Sequence, residues 1–78
     1  MEELLEGDLE QALAQVWMRV FSLERIGRED NFFELGGDSV LGMSLTEAIA
    51  QDLQIQLPLV ALFQNPTIRE LAELVTRS

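Results

Sequence analysis

The sequence predicts an all-α fold, a small four-helix bundle of three main helices and one short one. Three observations lead there. Apolar residues recur at three- and four-residue steps in three separate stretches. No stretch shows the strict alternation of a half-buried strand. The 78 residues suit one domain, read as 1–78 with its core from about 8 to 77. Hydrophobic residues make up 47% of the chain. That is enough for a core, although a domain this small buries a modest share of its surface.

The first helix is expected from Asp8 to about Leu23. Leu9, Ala12, Leu13, Val16, Trp17, Val20 and Phe21 form its apolar stripe. Asp8, after Gly7, is read as the N-cap, and Glu10 adds charge where the helix dipole favours it. Glu24 to Asp38 breaks the period and reads as a long loop, pinned to the core by Phe32, Phe33 and Leu35.

A second helix is predicted from Ser39 to Leu53, with Leu41, Leu45, Ala48 and Ile49 facing inward. Gly42 lies on the flank of that face. A mid-helix glycine costs about 1 kcal/mol relative to alanine, and close helix approach is the expected compensation. Pro58 opens a short third helix through Phe63. The segment "NPTIRELAELV" starts the fourth, with Thr67 and Glu70 at capping-box spacing. Its apolar side is Ile68, Leu71, Ala72, Leu74 and Val75.

Composition excludes several functions. Fourteen acids against five basic residues, all arginine, give a net charge of −9. That surface disfavours nucleic acid and anionic membranes, and it suits basic patches on protein partners. No apolar run approaches the roughly 18 residues of a membrane span. The acidic start "MEELLEGD" does not read as a signal or transit peptide. With no cysteine and no histidine there is no disulfide framework, and no metal site is expected. These features fit an intracellular, cytoplasmic protein.

The stretch "ELGGDSVLG", Glu34 to Gly42, looks like a site. A catalytic serine needs a nearby base, and the chain has neither histidine nor lysine. The G-x-S-x-G elbow is missing its second glycine, so no catalytic residue is assigned. A phosphate loop would need G-x-x-x-x-G-K-[ST], and its lysine is absent. Asp30, Asn31, Glu34 and Asp38 do not match the spacing of a calcium loop. On spacing alone, Ser39 or Asp38 caps the second helix and the glycines turn the chain.

"DNFFELGGDSV", Asp30 to Val40, resembles the core motif of thiolation domains, the peptidyl carrier proteins of nonribosomal peptide synthetases. "LAQVWMRVFSLERIG" and "LPLVALFQNPTIRELAELV" are similar to the family's flanking helices, so the resemblance runs from about Leu9 to Val75. It implies a monomeric four-helix carrier whose Ser39 receives 4′-phosphopantetheine from coenzyme A through a phosphopantetheinyl transferase. The arm's thiol then carries aminoacyl, peptidyl or acyl thioesters among adenylation, condensation, thioesterase or ketosynthase-type domains. The carrier itself catalyses nothing, and the cofactor and partner enzymes supply the chemistry.

On this reading Gly36 and Gly37 keep bulk away from the transferase. Asp38 either caps the helix or contacts a basic or metal-bound group of the transferase. Val40, Met43, Ser44 and Glu47 fall on one strip away from the helix core face, so Val40, Met43 and Glu47 are read as partner-recognition residues. The five arginines are read as ordinary surface residues. The second helix carries only Glu47 and Asp52 as acids, which favours an assembly-line carrier over a fatty-acid one. A polyketide-type acyl carrier is the nearest alternative. An unmodified helical docking domain is the alternative from another class.

Overall fold

The computed structural model describes residues 6–77, and the reading of the acidic N-terminus as no targeting peptide lies largely outside them. Four helices follow in order: α1 (Glu6–Phe21), α2 (Ser39–Leu53), α3 (Leu59–Gln64) and α4 (Ile68–Arg77). Among the described residues there is no strand. Helix α1 packs against both α2 and α4, and α3 packs on α2.

The core assembles from the predicted stripes. Leu9, Leu13, Val16 and Trp17 come from α1, Leu45 and Ile49 from α2, Leu62 from α3, and Ile68, Leu71 and Ala72 from α4. Each fully buried large side chain contributes about 1.5–3 kcal/mol by leaving water. Trp17 Nε1 is buried without a hydrogen-bond partner among the described residues. That costs about 1–3 kcal/mol, offset by burial of the indole ring.

Helix α1 departs from its predicted ends. It is already helical at Glu6, so Asp8 lies inside it and is not its N-cap. It stops at Phe21 rather than Leu23, because Ser22 turns left-handed at φ 57°. Ser22 N–H donates to the Arg19 carbonyl and Leu23 N–H to that of Met18, the two bonds of a Schellman ending.

The other helices match closely. Helix α2 has the predicted bounds. A Cβ on Gly42 would stand 2.7 Å from Leu59 Cδ1 and 3.3 Å from the Phe63 ring, so its absence lets α3 approach. Pro58 sits just before α3, in extended backbone, rather than as its first helical residue. At α4, Glu70 N–H donates to Thr67 Oγ1 (3.1 Å) and the Thr67 hydroxyl donates back to the Glu70 carboxylate (2.9 Å).

The loop is held from both sides. Phe32 is fully buried among Trp17, Phe21 and Phe63, and its N–H donates to the Pro66 carbonyl at 2.7 Å. Leu35 is half-buried, but Phe33 is 47% exposed and does not pin the loop as expected. Phe33 instead lies over the outer side of Phe32 and Phe63. The arginines are also more than surface charge. Arg28 pairs with Glu10 of α1, and Arg69 of α4 pairs with Glu29 of the loop. Arg19 pairs with Asp52 across the ends of α1 and α2.

Candidate functional site

Residues 31–39 form two caps in succession. The Asn31 side chain accepts from Phe33 N–H (2.8 Å), which starts a single helical turn. Leu35 N–H donates to the Asn31 carbonyl, Gly36 N–H to that of Phe33, and Gly37 N–H to that of Phe32. The last two bonds close the turn as a Schellman ending, and Gly36 takes its left-handed position at φ 99°. A side chain there would be strained, although a Cβ on Gly36 would meet no atom within 4 Å.

Gly37 has a different reason to be glycine. A Cβ there would lie 2.4–2.5 Å from the Phe32 ring. Its absence lets the chain ride over a buried aromatic, a packing role beside the clearance expected from the sequence. Asp38 then adopts extended backbone and caps α2. Its carboxylate accepts from Leu41 N–H (2.9 Å) and its carbonyl from Gly42 N–H (2.8 Å). Of the two roles weighed for Asp38, the cap is therefore present.

Ser39 follows as the first helical residue and is exposed. Its hydroxyl has no hydrogen-bond partner among the described residues, because Asp38 does the capping. The N–H groups of Ser39 and Val40 belong to the first turn and have no helical carbonyl to reach. They point toward the end of α2 where the helix dipole is positive.

The predicted strip is open to solvent. Val40 is 72% and Met43 56% exposed, with Ser44 and Glu47 exposed beside them. Two further apolar side chains join the exposed set, Phe33 and Val60. The sequence reading placed Phe33 in the core and passed over Val60. The signal for Val60 was present, since Leu59, Leu62 and Phe63 occupy the inward side of so short a helix. Phe33 stacks edge-on against Phe32 and tilts over Phe63, with centroids 5.3 and 5.5 Å apart.

Chemically the site offers a hydroxyl without a base. The one adjacent carboxylate, Asp38, is engaged at the helix start. No group of three or more histidine, cysteine, aspartate or glutamate side chains is arranged for a metal among the described residues. No helix among them is long and apolar enough to cross a membrane. The arrangement suits a residue that is acted upon.

Comparison with known proteins decides the family. Residues 11–75 match the family described as the phosphopantetheine attachment site. The chain belongs to that family. This carrier domain is 46% identical over 67 residues to surfactin synthase subunit 2 of Bacillus subtilis (strain 168), covering 86% of the chain and 2% of that protein. It is 37% identical over 73 residues to tyrocidine synthase 3 of Brevibacillus parabrevis, covering 94% of the chain and 1% of that protein. The domain thus spans a very small part of the curated relatives it matches.

Among solved structures it superimposes on one chain of a structure of the phosphopantetheine transferase Sfp in complex with coenzyme A and a peptidyl carrier protein. The TM-score is 0.82 at 38% identity, over 90% of this chain and 91% of that one. A structure described as a prototype for the peptidyl carrier domains of modular peptide synthetases gives 0.74 at 41% identity, over 87% and 90% of the two chains. The domain is a non-catalytic carrier of the peptidyl type, and the cofactor of its family is 4′-phosphopantetheine. Its own residues fit such a group. An exposed hydroxyl, unspent helix N–H groups and open space over Gly36 meet at the start of α2.

Proposed function

We propose that Ser39 carries the 4′-phosphopantetheine arm and that the domain shuttles thioesters within a nonribosomal peptide or hybrid assembly line. One observation carries the assignment. Asp38 takes over the capping of α2, so Ser39 stands at the helix start with an exposed, uncommitted hydroxyl. During loading, the Ser39 oxygen bonds to the β-phosphorus of coenzyme A and the pyrophosphate link breaks. Adenosine 3′,5′-bisphosphate leaves, and the serine proton passes to a base of the transferase, since this chain has none in place. The first-turn N–H groups of Ser39 and Val40 face the resulting phosphodiester. When bound, the arm supplies a terminal thiol that holds aminoacyl, peptidyl or acyl groups as thioesters.

The partners follow from this role. A phosphopantetheinyl transferase loads the domain, and an adenylation domain charges it. Solved complexes with similar carriers, the Sfp complex and an adenylation–carrier structure at 38% identity and TM-score 0.79, support both. Condensation, thioesterase or ketosynthase-type domains receive the cargo. Val40, Met43 and Glu47 form the strip these partners read, with Phe33 and Val60 extending its apolar area. The open space at Gly36 leaves room for the approaching transferase, and the Asp38 charge faces its basic side. Coenzyme A is an intracellular donor, which puts the domain in the cytoplasm.

The test is intact-mass measurement after incubation with coenzyme A and a broad-specificity transferase. The wild-type domain should gain one arm and Ser39→Ala none. A folded wild type without a gain would overturn the proposal. For the strip, Met43→Asp should weaken binding to at least one partner while helical circular dichroism stays unchanged. Unfolding of that variant would assign Met43 to the core instead.

A further inference from the structure

The loop that ends at Asp38 is fastened to the beginning of α4 at several points. Phe32 N–H donates to the Pro66 carbonyl (2.7 Å), and Arg69 N–H donates to the Arg28 carbonyl (3.1 Å). The Arg69 side chain then reaches across to the loop, with Nε donating to the Glu29 carboxylate at 2.7 Å. The same guanidinium also bonds Glu73, one turn along its own helix, at 3.2 Å. Arg69 therefore has one foot on the loop and one on α4.

These fastenings lie upstream of the attachment serine. Glu29 precedes Asn31, which opens the capped turn, and that turn ends at Gly36 and Gly37. Gly37 rests on the Phe32 ring and hands the chain directly to Asp38, the cap of α2. Any loosening between Glu29 and Phe32 reaches Ser39 through six or so residues of contiguous, hydrogen-bonded backbone, by the closed-turn geometry of such endings. Among the described residues, the Glu29–Arg69 pair is the ion pair that joins this loop to α4.

We propose that Arg69 is a positioning residue for the modification of Ser39, acting through Glu29 to hold the capped turn that presents the serine. The role rests on the attachment of the arm at Ser39. Glu29 is 63% exposed and Arg69 31%, so solvent screens the pair and its effect is modest. It acts on how often the Ser39 hydroxyl stands ready for attack, and not on Val40, Met43 and Glu47, the part of the docking strip that lies on α2. Loss of the pair should lower kcat of the transferase on this carrier by about threefold to fivefold with KM little changed.

The test compares Arg69→Met, Arg69→Lys, Glu29→Ala and Glu73→Ala in the full chain. Modification rates are followed by intact mass, and backbone amide exchange is measured on the same proteins. Arg69→Met and Glu29→Ala should slow kcat equally and speed exchange at the Gly36 and Gly37 amides, with the Leu45 and Ile49 amides unchanged. Arg69→Lys should recover part of the rate. Glu73→Ala should match wild type, because it removes only contacts within α4, to Arg69 and Arg77. If Glu73→Ala is slowed as much as Glu29→Ala, or exchange rises throughout α2, Arg69 serves α4 stability and the role is overturned. If Arg69→Met is modified as fast as wild type, the positioning role alone fails. A folded wild type that gains no arm overturns the attachment site and this role together.

Discussion

Helices α2 and α4 both begin with a side-chain cap, yet the two starts spend their hydroxyls differently. At α4 the Thr67 hydroxyl accepts from Glu70 N–H and donates to the Glu70 carboxylate, and the residue is buried. At α2 the cap is Asp38, and the hydroxyl sits one residue later, on exposed Ser39. A hydroxyl at the cap is a structural part, satisfied and closed. Moved one position into the helix, it is left open beside N–H groups that still lack partners. The difference of one residue separates a helix start that only holds the fold from one that can receive a phosphate ester.

The largest effect should come from the seat of the α2 start. Gly37→Ala places a methyl group against the buried Phe32 ring, which has nowhere to move, and should cost about 2–3 kcal/mol. Chemical denaturation would measure it. Gly42→Ala is the control, because its one contact under 3 Å is with the flexible end of Leu59, the Phe63 ring stands at 3.3 Å, and alanine favours the helix by about 1 kcal/mol. That variant should remain close to wild type in stability. A loss at Gly37 as small as that at Gly42 would mean that Phe32 yields and Gly37 is not its seat.

Next comes the closed start. Thr67→Ala should lower stability by about 1.5 kcal/mol, since it removes both bonds of a buried cap. Because the α4 start also holds the loop through Pro66 and Arg69, Ser39 modification should slow no further than it does in Arg69→Met. A larger slowing would mean that the Thr67 cap, and not the Arg69–Glu29 pair, is the main hold on the loop. The smallest effects belong to Asp38. Asp38→Ala should cost about 1 kcal/mol, and Asp38→Asn only a few tenths, because asparagine caps as well. Comparing transferase rates for these two variants separates the cap from the charge. If Asp38→Asn is modified as slowly as Asp38→Ala, the charge matters to the transferase; if it matches wild type, capping is the whole role.

Much of this was readable in the sequence, for physical reasons. Helix α2 announces itself, with turn residues before it, a capping residue at its start and an apolar face of helical period. Thr67 and Glu70 announce α4 by their spacing. What escaped depends on contacts between distant residues or on backbone that the residue type does not advertise. Ser22 ends α1 in a left-handed conformation that glycine usually signals. Phe32 and Phe33 are the same residue type side by side, and only the packing against Trp17 and Phe21 selects which is buried. The reason for Gly37 lies in the Phe32 ring five residues back. The Glu29–Arg69 pair joins residues 40 apart, beyond any local pattern. At the site itself, the exposure of Ser39, Val40, Met43 and Glu47 was legible. The division of labour between Asp38 and Ser39 was not, because either residue type caps a helix.

The most direct test of the account locates the arm. After loading with coenzyme A and a transferase, the wild-type domain is digested and the modified peptide is fragmented in a mass spectrometer. The phosphopantetheine should be found on Ser39, the first residue of α2. Its attachment to Ser44, which is exposed on the same strip but sits inside the helix, would contradict the account.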